Sequence, residues 1–163
     1  LVRKIIIADS GPLIAFGKIK MLSLLIDTLG TIIMPAAVSN ECLSNLARPG
    51  AKEIAAAIEN NLIKVHENPA VLDKEVIDIL GVGESNAITL ASQLGAGLLI
   101  DDKLGRKVAV KMKLPVIGTA GVLLLAKNKK LIKQVAPVIQ ELKNNSYFLS
   151  KELIATILKR VGE

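Results

Sequence analysis

Five carboxylates in four short stretches of this chain sit where they could do chemistry. Asp9 closes the β-rich run from Val2 to Ala8 and is followed by the turn and helix-start signals Ser10-Gly11-Pro12. Glu41 follows Asn40, Glu84 stands between Gly83 and Ser85, and Asp101-Asp102 end the aliphatic run Leu98-Leu99-Ile100. A carboxylate leaving the carboxyl end of a strand lies on the rim of an α/β sheet, where such folds bind ligands. Gathering several acids there costs repulsion and desolvation, which a bound divalent cation offsets. Carboxylates and water suit Mg²⁺ or Mn²⁺. Without a redox cofactor, such an ion commonly activates water against a phosphodiester. Each acid also has an ordinary structural use. Asp9 could accept hydrogen bonds from the next turn, and Glu41 could be a helix surface residue. Glu84 could favour a helix amino end, and the Asp101-Asp102 pair could cap the helix that follows.

Competing chemistries find little support. One cysteine, Cys42, leaves no intrachain disulfide and no multi-cysteine zinc site, and one histidine, His66, leaves no histidine cluster. His66 reads as a surface or edge residue and Cys42 as buried packing. Neither Ser10 nor Ser85 has an assignable triad. Gly81-Val82-Gly83 follows a helical stretch and lacks the third glycine of a dinucleotide fingerprint, and no GxxxxGK[ST] occurs. Aromatic residues make up only 2% of the chain, which argues against recognition through stacked rings.

Positioning such acids requires alternating strands and helices. Ile5-Ile6-Ile7, Thr31 to Met34, Leu98 to Ile100 and Pro115 to Ile117 read as strands, with Leu62 to Val65 a candidate edge strand broken by Lys64. Between them, Leu13 to Leu29 predicts one or two helices ended by Gly30. Pro35 predicts the first turn of a helix running through Val38, Glu41, Cys42 and Leu46. Further helices are predicted over Ala51 to Glu59, over Pro69 to Leu80 and, after a break at Gly81-Val82-Gly83, over Ala87 to Leu94, then through Arg106 to Lys113 and from Gly118-Thr119 to Ala126. The alternation implies a parallel sheet covered on both faces. Residues 130–163 predict two helices around a break at Asn144-Asn145-Ser146, the second carrying the stripe Leu153, Ile154, Ile157, Leu158 and Val161.

At 163 residues, with 51% apolar content, the chain is expected to form one domain with an aliphatic core. It shows no signal-peptide pattern and no apolar run of membrane-spanning length, so a cytoplasmic location away from membranes is expected. Charge is uneven. Residues 1–102 carry 8 Lys/Arg against 12 Asp/Glu, whereas residues 103–163 carry 13 against 3. An acidic part beside a basic one suits a carboxylate site flanked by a phosphate-attracting surface, although lysines also solvate a Leu/Ile-rich half.

In order along the chain, Asp9 to Ala15, Pro35 to Glu41, Gly83 to Ile88, Leu99 to Asp102 with Gly105-Arg106, and Gly118 to Lys127 resemble the PIN domain, the ribonuclease fold of VapC-type toxins. The likeness is greatest to short prokaryotic PIN-like proteins described as predicted nucleic-acid-binding proteins, and it spans essentially the whole chain. It implies a three-layer α/β sandwich, with a central, mostly parallel sheet of four or five strands and a helical C-terminal extension. It also implies a metal-dependent endoribonuclease, plausible as the toxin of a toxin–antitoxin pair, holding one or two Mg²⁺ or Mn²⁺ ions. Asp9, Glu41 and Glu84 would be catalytic metal ligands, with Asp101 or Asp102 supplying the next; side chains alternate along a strand end, so one of that pair would face the ion. Thr119 stands where many relatives have a further acid, and with Ser10 it would play a supporting part. Arg106 and Lys107 are candidates for phosphate contact, Arg106 alternatively pairing with one of the acids. Expected partners are RNA, an antitoxin protein and a second copy of the chain, with Leu22, Leu24, Leu25 and Ile26 as a candidate interface. The alternatives are a noncatalytic RNA- or protein-binding module and, with no supporting segment, a structure-specific DNA nuclease.

Overall fold

A computed structural model describes residues 4–163; Val2 and Arg3 of the first predicted strand lie outside the described residues. Five strands form one all-parallel sheet in the order β3-β2-β1-β4-β5. They are β1 (Ile5–Ala8), β2 (Thr31–Pro35), β3 (Ile63–His66), β4 (Gly97–Leu99) and β5 (Val116–Ile117). Ile7, Ala8, Ile32, Leu98 and Leu99 are buried, as expected of strands covered on both faces. The strand order reverses between β1 and β4. In such sheets the crevice beyond the carboxyl ends of those two strands is the natural binding place. Register ties them together: Ala8 pairs with Leu99, and the Asp9 amide donates to the Leu99 carbonyl at 2.9 Å.

The connecting helices are α1 (Ser10–Lys18), α2 (Leu22–Leu29), α3 (Ala36–Leu43), α4 (Ala51–Glu59), α5 (Lys74–Ile79), α6 (Val82–Leu94), α7 (Lys103–Lys111) and α8 (Thr119–Asn128). The C-terminal pair is α9 (Ala136–Asn144) and α10 (Lys151–Val161), separated at the expected Asn-Asn-Ser break. Ile157 anchors α10 in the core, while Leu153 stays exposed. The Glu163 carboxylate accepts the Val135 and Ala136 amides at the start of α9 and pairs with Lys127 at 3.5 Å.

Several expectations need correction. Pro35 is the last residue of β2, in register with His66, and the helix after it stops at Leu43, leaving Leu46 exposed. The predicted helix from Pro69 shrinks to Lys74–Ile79 because the Asp73 side chain accepts the Glu75 amide and starts the helix there. Gly83 lies inside α6 and does not break the chain. Of the four candidate interface residues, Leu22, Leu24 and Leu25 are buried within the chain, with α2 packed against α8, and Ile26 is half-buried, so the first three offer no free interface.

Candidate active site

Asp9 leaves β1 at the switch point and is almost fully buried, at 5% exposure. Among the described residues its Oδ1 has no hydrogen-bond partner. Its pKa is raised to about 7, chiefly by burial; the Ser10 amide pulls the other way, and the charges of Glu84, Glu41 and Asp102 add to the rise. A buried, unpartnered carboxylate oxygen repelled by three neighbouring acids is unstable as an isolated anion. The same group is well suited to a cation.

The three neighbours arrive from different elements. Glu41 stands on α3, whose first turn is held by Asn68: its Oδ1 accepts the Ala37 amide at 2.8 Å. The Glu41 carboxylate lies against the bare Cα of Gly83 on α6, in space that any side chain there would fill. Glu84, in the first turn of α6, folds back so that its Oε2 lies 2.6 Å from where a Cβ on Gly81 would stand. The two glycines therefore seat the two glutamates. Asp102 precedes α7, and its Oδ2 accepts the Gly105 amide at 2.7 Å, leaving an exposed residue whose charge still acts on Asp9.

Asp101 is held differently. Its Oδ1 accepts the Thr119 amide at 2.7 Å, and its Oδ2 accepts the Thr119 hydroxyl at 2.6 Å and the Tyr147 hydroxyl. The pair thus divides its work. Asp101 fastens the start of α8 and the segment between α9 and α10, and Asp102 caps α7 on the Asp9 side. Thr119, fully buried, gives both its donors to Asp101. Tyr147 was not apparent from the sequence, because its partner lies 46 residues away. Burial, then the Asp101 charge, pushes its phenol well above the ordinary range. Ser10 is half-buried at the start of α1 and contributes its amide.

Arg106 donates from Nη1 to the Ile100 carbonyl at 3.1 Å. The same Nη1 and Asp101 Oδ1 lie 2.5 and 2.6 Å from where a Cβ on Gly118 would stand, so Gly118 makes room for both. Among the described residues Arg106 forms no ion pair; its rim position and partial exposure leave it able to meet a phosphate. Lys107 is exposed on α7, and His66 is exposed at the end of β3. Cys42 is buried, and that burial, with the Glu41 and Asp9 charges, pushes its thiol up to about 12, so it is an unreactive packing residue. A cavity of about 660 Å³ lined by Lys4, Ile6, Leu98 and Lys129 contains none of these acids.

Among the described residues, no three histidine, cysteine or acidic side chains are gathered closely enough to hold a metal ion as they stand. The donor chemistry nevertheless fits a hard cation. Asp9 presents a free buried oxygen, and the glutamates against Gly83 and Gly81 are the flexible ends of long side chains. No helix among the described residues is long and apolar enough to cross a membrane.

A family model described as a PIN domain, DUF3368, matches residues 5–163. No curated protein matches the chain significantly. Among solved structures, the chain is similar to a PilT N-terminus domain protein from the hyperthermophilic archaeon Sulfolobus solfataricus. That match has 18% identity and a TM-score of 0.49, covering 80% of this chain and 97% of that one. A domain of a functionally unknown protein from Methanocaldococcus jannaschii matches at 20% identity and a TM-score of 0.47, covering 71% of this chain and 90% of that one.

Proposed function

Since the chain belongs to the PIN-domain family, whose members are generally nucleases, we propose that it is a divalent-metal-dependent endoribonuclease. The observation that carries this reading is Asp9: a buried carboxylate with an unpartnered oxygen at the sheet's switch point, under repulsion from Glu84, Glu41 and Asp102. Asp9, Glu41, Glu84 and Asp102 would hold one or two Mg²⁺ or Mn²⁺ ions. When bound, such an ion offsets the clustered charge, acidifies a water and draws charge from the phosphoryl oxygens.

The chain's own residues do the rest. The Gly83 and Gly81 seats let the glutamate carboxylates swing toward Asp9 without moving the helices. Asp101, saturated by Thr119 and Tyr147, fixes the loop that presents Asp102 and the guanidinium of Arg106. Arg106 and Lys107 orient the RNA backbone over the acids, and the basic excess of residues 103–163 attracts it.

A toxin role implies an antitoxin, and a homodimer fits the same family. With Leu22, Leu24 and Leu25 buried, contacts of either kind belong to the apolar residues exposed around α5: Val71, Ile77, Ile79 and Val82. That no three acids are ready-gathered among the described residues favours the noncatalytic reading, an RNA-binding module. Cleavage of a mixed pool of structured and unstructured RNAs with added Mn²⁺ separates the two. Metal-dependent cutting lost in folded Asp9→Asn and Glu84→Gln proteins supports the nuclease. Binding without cutting supports the module.

A further inference from the structure

The chain has only three aromatic residues, too few for a platform of stacked bases, but two of them, Tyr147 and Phe148, stand side by side, with Tyr147 on Asp101. The third, Phe16, is fully buried in the core. Tyr147 is fastened to Asp101, which lies beside Arg106 at Gly118. Its neighbour Phe148 is therefore held one Cα–Cα step, about 3.8 Å, from a residue that touches the site. Burial alternates along this segment: Tyr147 and Leu149 are half-buried, while Phe148 and Ser150 are exposed. Inward anchors on both sides thus turn the Phe148 ring outward, at 71% exposure. An aromatic ring left in water carries a hydration cost that folding has not removed. The charge of this region selects what covers it: Arg106 lies beside Asp101, the partner of Tyr147, exposed Lys143 and Lys151 stand five residues before and three after Phe148, and a basic excess runs through residues 103–163. Positive charge for phosphates beside a flat apolar face is the combination that holds a single nucleic-acid strand.

We infer that Phe148 is a base-stacking residue, which packs on a base of single-stranded RNA whose backbone passes Arg106 into the acidic site. This rests on the nuclease reading and adds a residue that determines which strands are held: unpaired bases stack on the ring, and paired ones do not reach it. Stacking depends on the ring and not on the base, so it selects single strands with little sequence preference.

The chain has no tryptophan, so in the full-length Phe148→Trp protein the indole emission reports that position alone. The probe is a short single-stranded RNA with a dye at one end, added in Ca²⁺, with dye anisotropy as an independent measure of binding. The expected result is quenching of the indole emission that saturates with the anisotropy. Phe148→Ala weakens binding about tenfold or more, and Phe148→Tyr restores it. RNA binding by anisotropy, with unmoved emission and an undiminished Phe148→Ala protein, overturns the stacking role and leaves the nuclease reading standing. No binding of any RNA overturns both. Emission that changes with protein concentration before RNA is added overturns the proposal in favour of a second copy covering the ring.

Discussion

The carboxylate of Glu41, on α3, lies where the first side-chain atom of any residue but glycine at position 83, on α6, would stand. A methyl group at Gly83 would displace only the end of a flexible side chain, which is cheap in energy. It would also add helix propensity inside α6, worth up to about 1 kcal/mol. Gly83→Ala is therefore expected to leave unfolding by urea within about 1 kcal/mol of the native chain. Cutting or Mn²⁺ affinity should fall by about tenfold or more, because Glu41 leaves its seat. A parallel loss of stability and metal affinity would mean that the glycine serves packing alone.

Asp9 supplies a pH dependence with a definite sign. Its pKa is about 7 in the fold against 3.8 when unfolded. Between those values the folded chain holds a proton that the unfolded chain has lost. Metal-free stability should therefore fall as pH rises from about 4 to about 7 and then level off, costing up to about 4 kcal/mol. In EDTA above pH 7, Asp9→Asn should raise stability by about 2–4 kcal/mol, and at pH 4 the gain should vanish. Metal reverses the preference. Apparent Mg²⁺ affinity should rise with pH up to about 7 as the ion displaces the Asp9 proton, and calorimetry in two buffers should show that proton released.

Much of this fold was legible because burial on both faces leaves unbroken aliphatic runs. Ile5-Ile6-Ile7 and Leu98-Leu99-Ile100 allow little but interior strands, and the acids after them then share one rim. What escaped depends on partners distant in sequence. Whether Asp101 or Asp102 faces Asp9 is set by Thr119, 18 residues on, and Tyr147, 46 residues on. The apolar surplus of α2 suggested an outer interface because α8, which packs against it, comes about a hundred residues later in the chain. Gly83 read as a punctuation mark, since nothing local reveals that a glutamate from another helix needs the space.

Gly50 carries a structural prediction of the same kind. It begins α4 with φ of +90°, and a Cβ there would lie 2.9 Å from the Lys18 amide nitrogen and 3.1 Å from the Ile14 carbonyl oxygen. Those atoms are backbone and cannot yield cheaply. Gly50→Ala should destabilise the chain by more than about 2 kcal/mol in urea unfolding. Gly95→Ala, at φ of +61° with open space around it, is the control and should cost only about 1–2 kcal/mol.

The Asp101-Asp102 division gives opposite expectations for one conservative change at adjacent positions. Asparagine caps helices as well as aspartate does. Asp102→Asn should therefore keep the Gly105 contact and the stability while removing a charge that acts on Asp9. Metal affinity should fall, and the Asp9 pKa with it. Asp101→Asn replaces one acceptor oxygen with a donor amide facing the Thr119 and Tyr147 donors. Stability should then drop by about 1–3 kcal/mol, as expected when part-buried donors lose their acceptor. Tyr147→Phe should reproduce part of that drop. Because Tyr147 is the only tyrosine, the ultraviolet absorbance of the native chain follows its ionisation alone. In Asp101→Asn that ionisation should shift down toward the ordinary phenol range, since one cause of its elevation is gone. If Asp101→Asn instead kept its stability and lost metal binding, the two acids would have exchanged roles: Asp101 would be the ligand and the Thr119–Tyr147 contacts a feature of the metal-free chain.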